Sequence, residues 1–185
     1  YQEVVEYYNL GMRAPEDVTT MLCDDNFGNI NRLPERGSDI PSGGFGVYYH
    51  FDLHGGPRSY QWLNTNPIPR IWEQLNLAYS LGVNRIFIVN VGDLKPRELP
   101  IHFFLDFAYR PQEWTPQRMS EYPRRWAEEQ FGPEHAAEIG DILAKYTKFN
   151  GRRKPEYLQP STYSVTNYRE AETVVEEYDA ISAQA

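Results

Sequence analysis

The sequence has one cysteine, Cys23, in 185 residues, which excludes an internal disulfide framework and a cysteine-rich zinc centre. A single thiol leaves the redox compartment open. No apolar run approaches the roughly 20 residues that a membrane-spanning helix needs, so no membrane partner is expected. Positive charge is scarce as well. The 18 Lys and Arg stand against 26 Asp and Glu, a net of −8, and such a chain repels an extended phosphate backbone unless a local basic stripe overrides the average. The one dense basic cluster, Arg152, Arg153 and Lys154, is short enough to be a solvated turn, so nucleic acid is not an expected partner. Nothing matches a phosphate loop, a GxSxG nucleophile elbow or a dinucleotide fingerprint. Internal repeats and low-complexity tracts are missing too. Tyr1 is preceded by neither an initiator Met nor a charged-then-apolar leader, so the start reads as a cut, with any signal peptide lying upstream.

What is present is a soluble, globular composition rich in rings. The 14 Tyr and 4 Trp are the flat, polar-tipped side chains that carbohydrate sites use, although most such rings fill cores. The length allows one respectable core but is short for a complete (β/α)₈ barrel of about 250 residues.

Val4, Val5 and Tyr8 recur at helical spacing and end at Gly11, which predicts a helix terminus. Val18 to Cys23 is a β-rich apolar run that stops at Asp24, Asp25 and Asn26. Val47 to Phe51 repeats that grammar, passing into Asp52, His54, Gly55 and Gly56. Asn66, Pro67 and Pro69 open a helix with Ile71, Trp72, Leu75, Ala78 and Leu81 on one face; Gly82 closes it, and Arg85 to Val91 supplies a third strand with Asn90, Gly92 and Asp93 at its exit. Three near-continuous apolar strands without hairpin signals predict a parallel sheet buried on both faces, with a ligand site at the carboxyl ends of its strands. From Ile101 to Ala108 the pattern is helical. Beyond residue 112 strand signals stop. Thr115-Pro116 and Gly132-Pro133 each read as a helix entrance, Asn167 and Glu170 have capping-box-like spacing, and Val174, Val175, Tyr178 and Ile181 form an apolar stripe expected to pack into a core. The expected fold class is therefore α/β, with residues 1–112 as the sheet-containing part and 113–185 as an all-helical segment.

Several constellations could carry chemistry. Asp24 and Asp25, followed by Asn26 at a strand exit, supply carboxylates for proton transfer or charge stabilisation, or else a capped turn. His50, Asp52 and His54 alternate and share a face if the strand stays regular, which would suit a divalent ion in a metal-dependent hydrolase, or let His50 donate to a sugar hydroxyl. Gly55-Gly56-Pro57-Arg58 would let backbone approach a ligand, and Arg58 could grip a carboxylate at two points; a plain turn is the bland alternative.

Three stretches are more specific than these patterns: CDDNFGNINRLP over Cys23–Pro34, GGFGVYYHFDLHGGPRSYQWLNTNPIPRIWEQLNLAYSLGV over Gly43–Val83, and RIFIVNVGDLKP over Arg85–Pro96. They resemble glycoside hydrolase family 115, firmly over about residues 1–112 and by position beyond. The resemblance implies a fragment holding the C-terminal part of a (β/α)₈ TIM-like barrel and the start of a helical bundle. It also implies an inverting, exo-acting enzyme that removes glucuronic acid, often 4-O-methylated, from α-1,2 links on xylan. No metal or cofactor is expected, glucuronoxylan or its oligosaccharides would be the partner, and the location would be secreted or periplasmic. A homodimer of the full-length protein is a further expectation.

The family's pattern places a catalytic acid on Glu3 of Glu-Val-x-Glu-Tyr-Tyr, and active-site polar residues on Asp24, Asn26 and His50. Asp24 is the candidate for orienting water or stabilising positive charge, and Asp25, Arg58 and Asn90 are candidate substrate contacts. By periodicity alone Glu3 reads as an exposed helix residue. Leu53, Leu22 and Phe27 stand where the family often has Tyr, Trp and Tyr, and the Leu53 change keeps a non-catalytic carbohydrate-binding relative in view. With other acids expected upstream, the chain alone is expected to be inactive.

Overall fold

The computed structural model describes residues 2–25, 27–52 and 63–185, with only the backbone of Gln2, Glu3 and Glu156. The apolar runs become three strands: β1, Thr20–Cys23; β2, Phe45–His50; and β3, Val83–Asn90. They form one parallel sheet in the order β1-β2-β3, with Thr20 opposite Phe45, Cys23 opposite Tyr48 and His50 opposite Asn90. Parallel neighbours need a crossover, and α2, Ile68–Ser80, supplies it between β2 and β3. Its Ile68, Ile71, Leu75 and Ala78 are buried at helical spacing, and Gly82 at φ +88° turns the chain into β3. A short helix, α1, Gln2–Asn9, precedes the sheet. After β3, α3 covers Glu98–Tyr109, beginning three residues before the apolar run because Pro100 is tolerated in a first turn.

Strand alternation sorts the sheet's two faces. Val47, Tyr49 and Phe51 are fully buried against α2 and α3, beside Phe87 and Val89 of β3. Phe104 of α3 meets the rings of Tyr49, Phe51 and Phe87 at centroid distances of 6.3, 6.1 and 6.4 Å. Truncating a ring with three aromatic neighbours leaves a cavity that backbone cannot close, so Phe104→Ala is expected to destabilise by about 3–5 kcal/mol. The shift of the urea midpoint measures this; a change within experimental scatter would show that the ring is not part of a tight core. On the opposite face Met21, Ile86 and Ile88 are 38, 42 and 47% exposed, so the chain's own helices cover only one side of the sheet.

The remainder is helical: α4, Pro116–Phe131; α5, Ala136–Asn150; and α6, Glu170–Gln184. Thr115 caps α4 as its sequence predicts, its hydroxyl accepting from the Arg118 N–H. Gly140 lets α5 come close to α4, since a Cβ there would lie 2.7 Å from the Arg124 Cα. Three expectations need correction. Gly132, at φ +89°, ends α4, and α5 starts only at Ala136, so Gly132-Pro133 is not its entrance. Asn167 does not cap α6, because Tyr168 and Arg169 between it and Glu170 are left-handed; the Glu170 carboxylate reaches back to the Ser164 N–H instead. Of the α6 stripe only Ile181 is buried, and Val175 is 59% exposed. No helix among the described residues is long and apolar enough to cross a membrane.

A run of amides joins the sheet to the helices. Asn66 donates to the carbonyl of Phe51 and its own N–H to the side chain of Asn64; Asn150 donates to the Asn64 carbonyl, and Tyr178 of α6 donates to Asn150 at 2.7 Å. Asn64 and Asn150 are buried, so each bond satisfies a group that water cannot reach.

Candidate functional site

β1 and β2 run in parallel, so their last residues arrive together at one edge. There Asp24 and His50, 26 positions apart, meet: Oδ1 lies 2.7 Å from Nδ1, and both side chains are essentially out of solvent. Burial works to lower the His50 pKa, but the hydrogen bond and charge of Asp24, helped by Cys23, outweigh it and raise the imidazole to about 9. Burial pushes the Asp24 carboxyl up, while His50 pulls it down. At neutral pH the shared proton therefore sits on the imidazole and the pair is an ion pair, since an uncompensated buried carboxylate would be far more costly. Asp24 Oδ2 is buried with no hydrogen-bond partner among the described residues.

Tyr48 and Asn90 frame this pair. The Tyr48 ring packs 4.4 Å from the imidazole, and its hydroxyl accepts from Asn90 Nδ2 at 3.1 Å, while Asn90 Oδ1 accepts the Gly92 N–H. Asn90, a candidate substrate contact by sequence, thus uses both ends of its amide inside the protein. Asp25 does the same within its loop. Its Oδ1 accepts from the N–H groups of Phe27 and Asn29, and its Oδ2 from the Asn29 side chain. This is an Asx-type turn that fixes the loop leaving β1.

Asp52 does not join His50. It is buried 3.7 Å from Arg97, itself 1% exposed, and Arg97 also donates to the Val91 carbonyl. Gly92, at φ +64°, is where the two loops touch, for a Cβ there would lie 2.3 Å from Asp52 Oδ2. The β2 and β3 exits are thereby locked together. Breaking a buried pair on one side leaves a charge without its partner, so Arg97→Met is expected to destabilise by about 3–5 kcal/mol. Thermal unfolding reads it, and an unchanged midpoint would show that the lock carries no stability.

Cys23, Asp24 and His50 offer three potential metal-ligand atoms within 4.8 Å of one another. Two of the three residues are already joined by the direct Nδ1···Oδ1 bond. The His50-Asp52-His54 set is not assembled among the described residues: Asp52 turns to Arg97, and His54 lies outside them, as do Asn26, Leu53 and Arg58. Glu3 is in α1 by its backbone, and its side chain lies outside the described residues. Tyr8 of α1 holds Arg13 over its ring at 3.9 Å and Arg32 at 5.6 Å, tying that helix to the segment after β1.

Sequence reasoning passed over Tyr48 and Arg97. Tyr48 was legible in principle, since residues two apart on a strand share a face and His50 follows it. Arg97 carries no local signal at all.

A family model described as "Glycosyl hydrolase family 115" matches residues 1–157. A solved structure described as "A novel family GH115 4-O-Methyl-alpha-glucuronidase, BtGH115A, with specificity for decorated arabinogalactans" is similar at a TM-score of 0.80 and 31% identity, over 98% of this chain and 26% of that one. The chain spans about a quarter of that protein's length. No curated protein matches the sequence.

Proposed function

The chain belongs to glycosyl hydrolase family 115, and from that premise we propose that it carries part of the active site of an enzyme that hydrolyses α-1,2-linked glucuronic acid, often 4-O-methylated, from xylan with inversion. The observation that carries the reading is the buried Asp24–His50 ion pair at the carboxyl edge of a parallel sheet, where α/β folds place their chemistry. The bared apolar face of Met21, Ile86 and Ile88 supports a sheet that continues into a closed barrel, whose interior would cover those side chains. A boundary near residue 112 would then separate barrel from bundle.

Inversion needs an acid that protonates the glycosidic oxygen and a base that activates water on the opposite face, the two carboxyls being roughly 6.5–9.5 Å apart. Glu3 is the proposed acid. Asp24, ionised by its pairing with His50, has Oδ2 left to accept a hydrogen bond from water or from the sugar and to stabilise the positive charge that develops on the ring. The carboxylate of a uronate matches a two-point contact with Arg58. Asn26 would hydrogen-bond the sugar. None of these steps calls for a metal. A secreted or periplasmic location suits a polymer too large to enter a cell.

The test is product analysis with the full-length protein. Incubation with glucuronoxylan is expected to release glucuronic acid or its 4-O-methyl ether, first as the β-anomer in early proton NMR spectra, at a rate unchanged by chelator. An initial α-anomer would overturn inversion, and loss of activity in chelator would favour a metal-dependent hydrolase. Release from decorated arabinogalactan but not from xylan would move the substrate to that of the solved relative.

A further inference from the structure

Three residues at the carboxyl edge of the sheet share one face: Tyr48 and His50, two apart on β2, and Asn90, which lies opposite His50 in the register. It is the face away from Tyr49 and Phe51, so Tyr48 points away from the ring cluster that those residues build with Phe104. The imidazole depends on Tyr48. A single hydrogen bond, from Nδ1 to Asp24 Oδ1 at 2.7 Å, leaves a planar ring able to swing about its Cβ–Cγ bond. The Cys23 sulfur lies 3.9 Å from the same nitrogen, a long contact with a weak partner that adds little restraint. The Tyr48 ring, with its centroid 4.4 Å away and its plane inclined by 47°, closes off one side of that swing.

Asn90 ties down the far end of the Tyr48 ring, and its own amide can face only one way. The Gly92 N–H can only donate, so the Asn90 atom facing it at 3.1 Å is Oδ1; Nδ2 is left to face Tyr48, whose hydroxyl oxygen accepts at 3.1 Å. The Asn90 carbonyl accepts the Phe51 N–H at 2.8 Å, which pins the backbone as well. Gly92 is fixed in turn. It lies against Asp52, and Arg97 joins the two loops, 3.7 Å from the Asp52 carboxylate and donating to the Val91 carbonyl. Support for the imidazole therefore runs from Arg97 at the start of α3, through Gly92 and Asn90, to Tyr48.

We propose that Asn90 is a positioning residue of this site: its amide seats the Tyr48 ring against His50 and so keeps the imidazole in line with Asp24. The effect on turnover rests on the glucuronidase reading above; the effect on His50 does not. A place at a strand end also suits Asn90 to touching the sugar directly, and the two roles leave different kinetic marks. A substrate contact of that kind acts on binding, whereas a seat acts on the geometry in which bound substrate reacts.

In the full-length protein Asn90→Ala is expected to lower kcat on glucuronoxylan about tenfold, with KM within about twofold of wild type. Tyr48→Phe keeps the ring and removes the oxygen that Asn90 grips. It is expected to give a similar loss by itself and to leave Asn90→Ala less than about twofold of further effect, since two residues acting through one contact are not additive. A raised KM at unchanged kcat, a wild-type kcat in Tyr48→Phe, or equal losses from Asn90→Ala in the two backgrounds would each overturn the proposal. Histidine-selective NMR reads the same seat without turnover, because a neighbouring aromatic ring displaces the imidazole proton resonances. The His50 ring signals are expected to move in Asn90→Ala and to move no further when that change is added to Tyr48→Phe, while His102 and His135, away from this edge, keep theirs in a folded variant. That pattern supports the seat even in a protein that releases no glucuronic acid. His50 signals unchanged by Asn90→Ala overturn it.

Discussion

Asp24→Asn in the full-length protein is expected to cut uronic acid release by about 10²–10⁴-fold and to bring the His50 pKa from about 9 to below its ordinary 6.5. Asn is nearly isosteric and can still donate to Nδ1, so the site keeps its shape while losing its charge. Burial, which disfavours an imidazolium, is then no longer outweighed by the hydrogen bond and charge of Asp24. Histidine-selective NMR follows the imidazole, and an unchanged titration would show that Asp24 is not what holds the proton there.

The same substitution reverses a trend in stability. In the wild type the folded pKa of His50 lies above its unfolded value, so its contribution is complete below about pH 6.5 and is lost as pH rises through about 9. In Asp24→Asn the folded value lies below the unfolded one, and stability should instead fall as pH drops under 6.5. The difference between the two denaturation curves, measured from pH 5 to 9.5, isolates this pair from other titrating groups. Parallel curves across that range would show that the two residues are not coupled.

How much of this was readable in advance depends on the range of the interaction. The strands were legible because β1, β2 and β3 are local apolar runs, and parallel order followed from the lack of hairpin turns. Asp24, His50 and Asn90 stood visibly at strand ends, yet which would pair was set by a register joining residues 26 apart, which no window contains. Asp25 looked like Asp24 and differs only in where its oxygens point, toward N–H groups of its own loop. Arg97 was invisible for a similar reason: a buried Arg is built by the loop that closes over it, not by its neighbours in sequence. In the helical part the misread entrance to α6 came from Tyr168 and Arg169, whose left-handed backbone neither residue type advertises. The start of α1 is different again, since periodicity made Glu3 an ordinary surface residue and only the family resemblance singled it out.

That residue gives the second large effect. Glu3→Gln is expected to lower kcat on glucuronoxylan by about 10²–10⁴-fold, because a sugar alkoxide is a poor leaving group and the amide cannot protonate it. The loss has a signature that structural damage would lack. The fluoride of a substrate such as α-glucuronosyl fluoride departs without protonation, so Glu3→Gln should hydrolyse it at a rate within about tenfold of wild type, whereas Asp24→Asn, which removes the proposed stabiliser of positive charge, should fail on both. The alkaline limb of the kcat/KM profile, which reports the acid in the free enzyme, should also vanish in Glu3→Gln. If the fluoride and the natural substrate suffered alike, Glu3 would not be the proton donor, and the acid would have to be sought among the other carboxyls of the full-length protein.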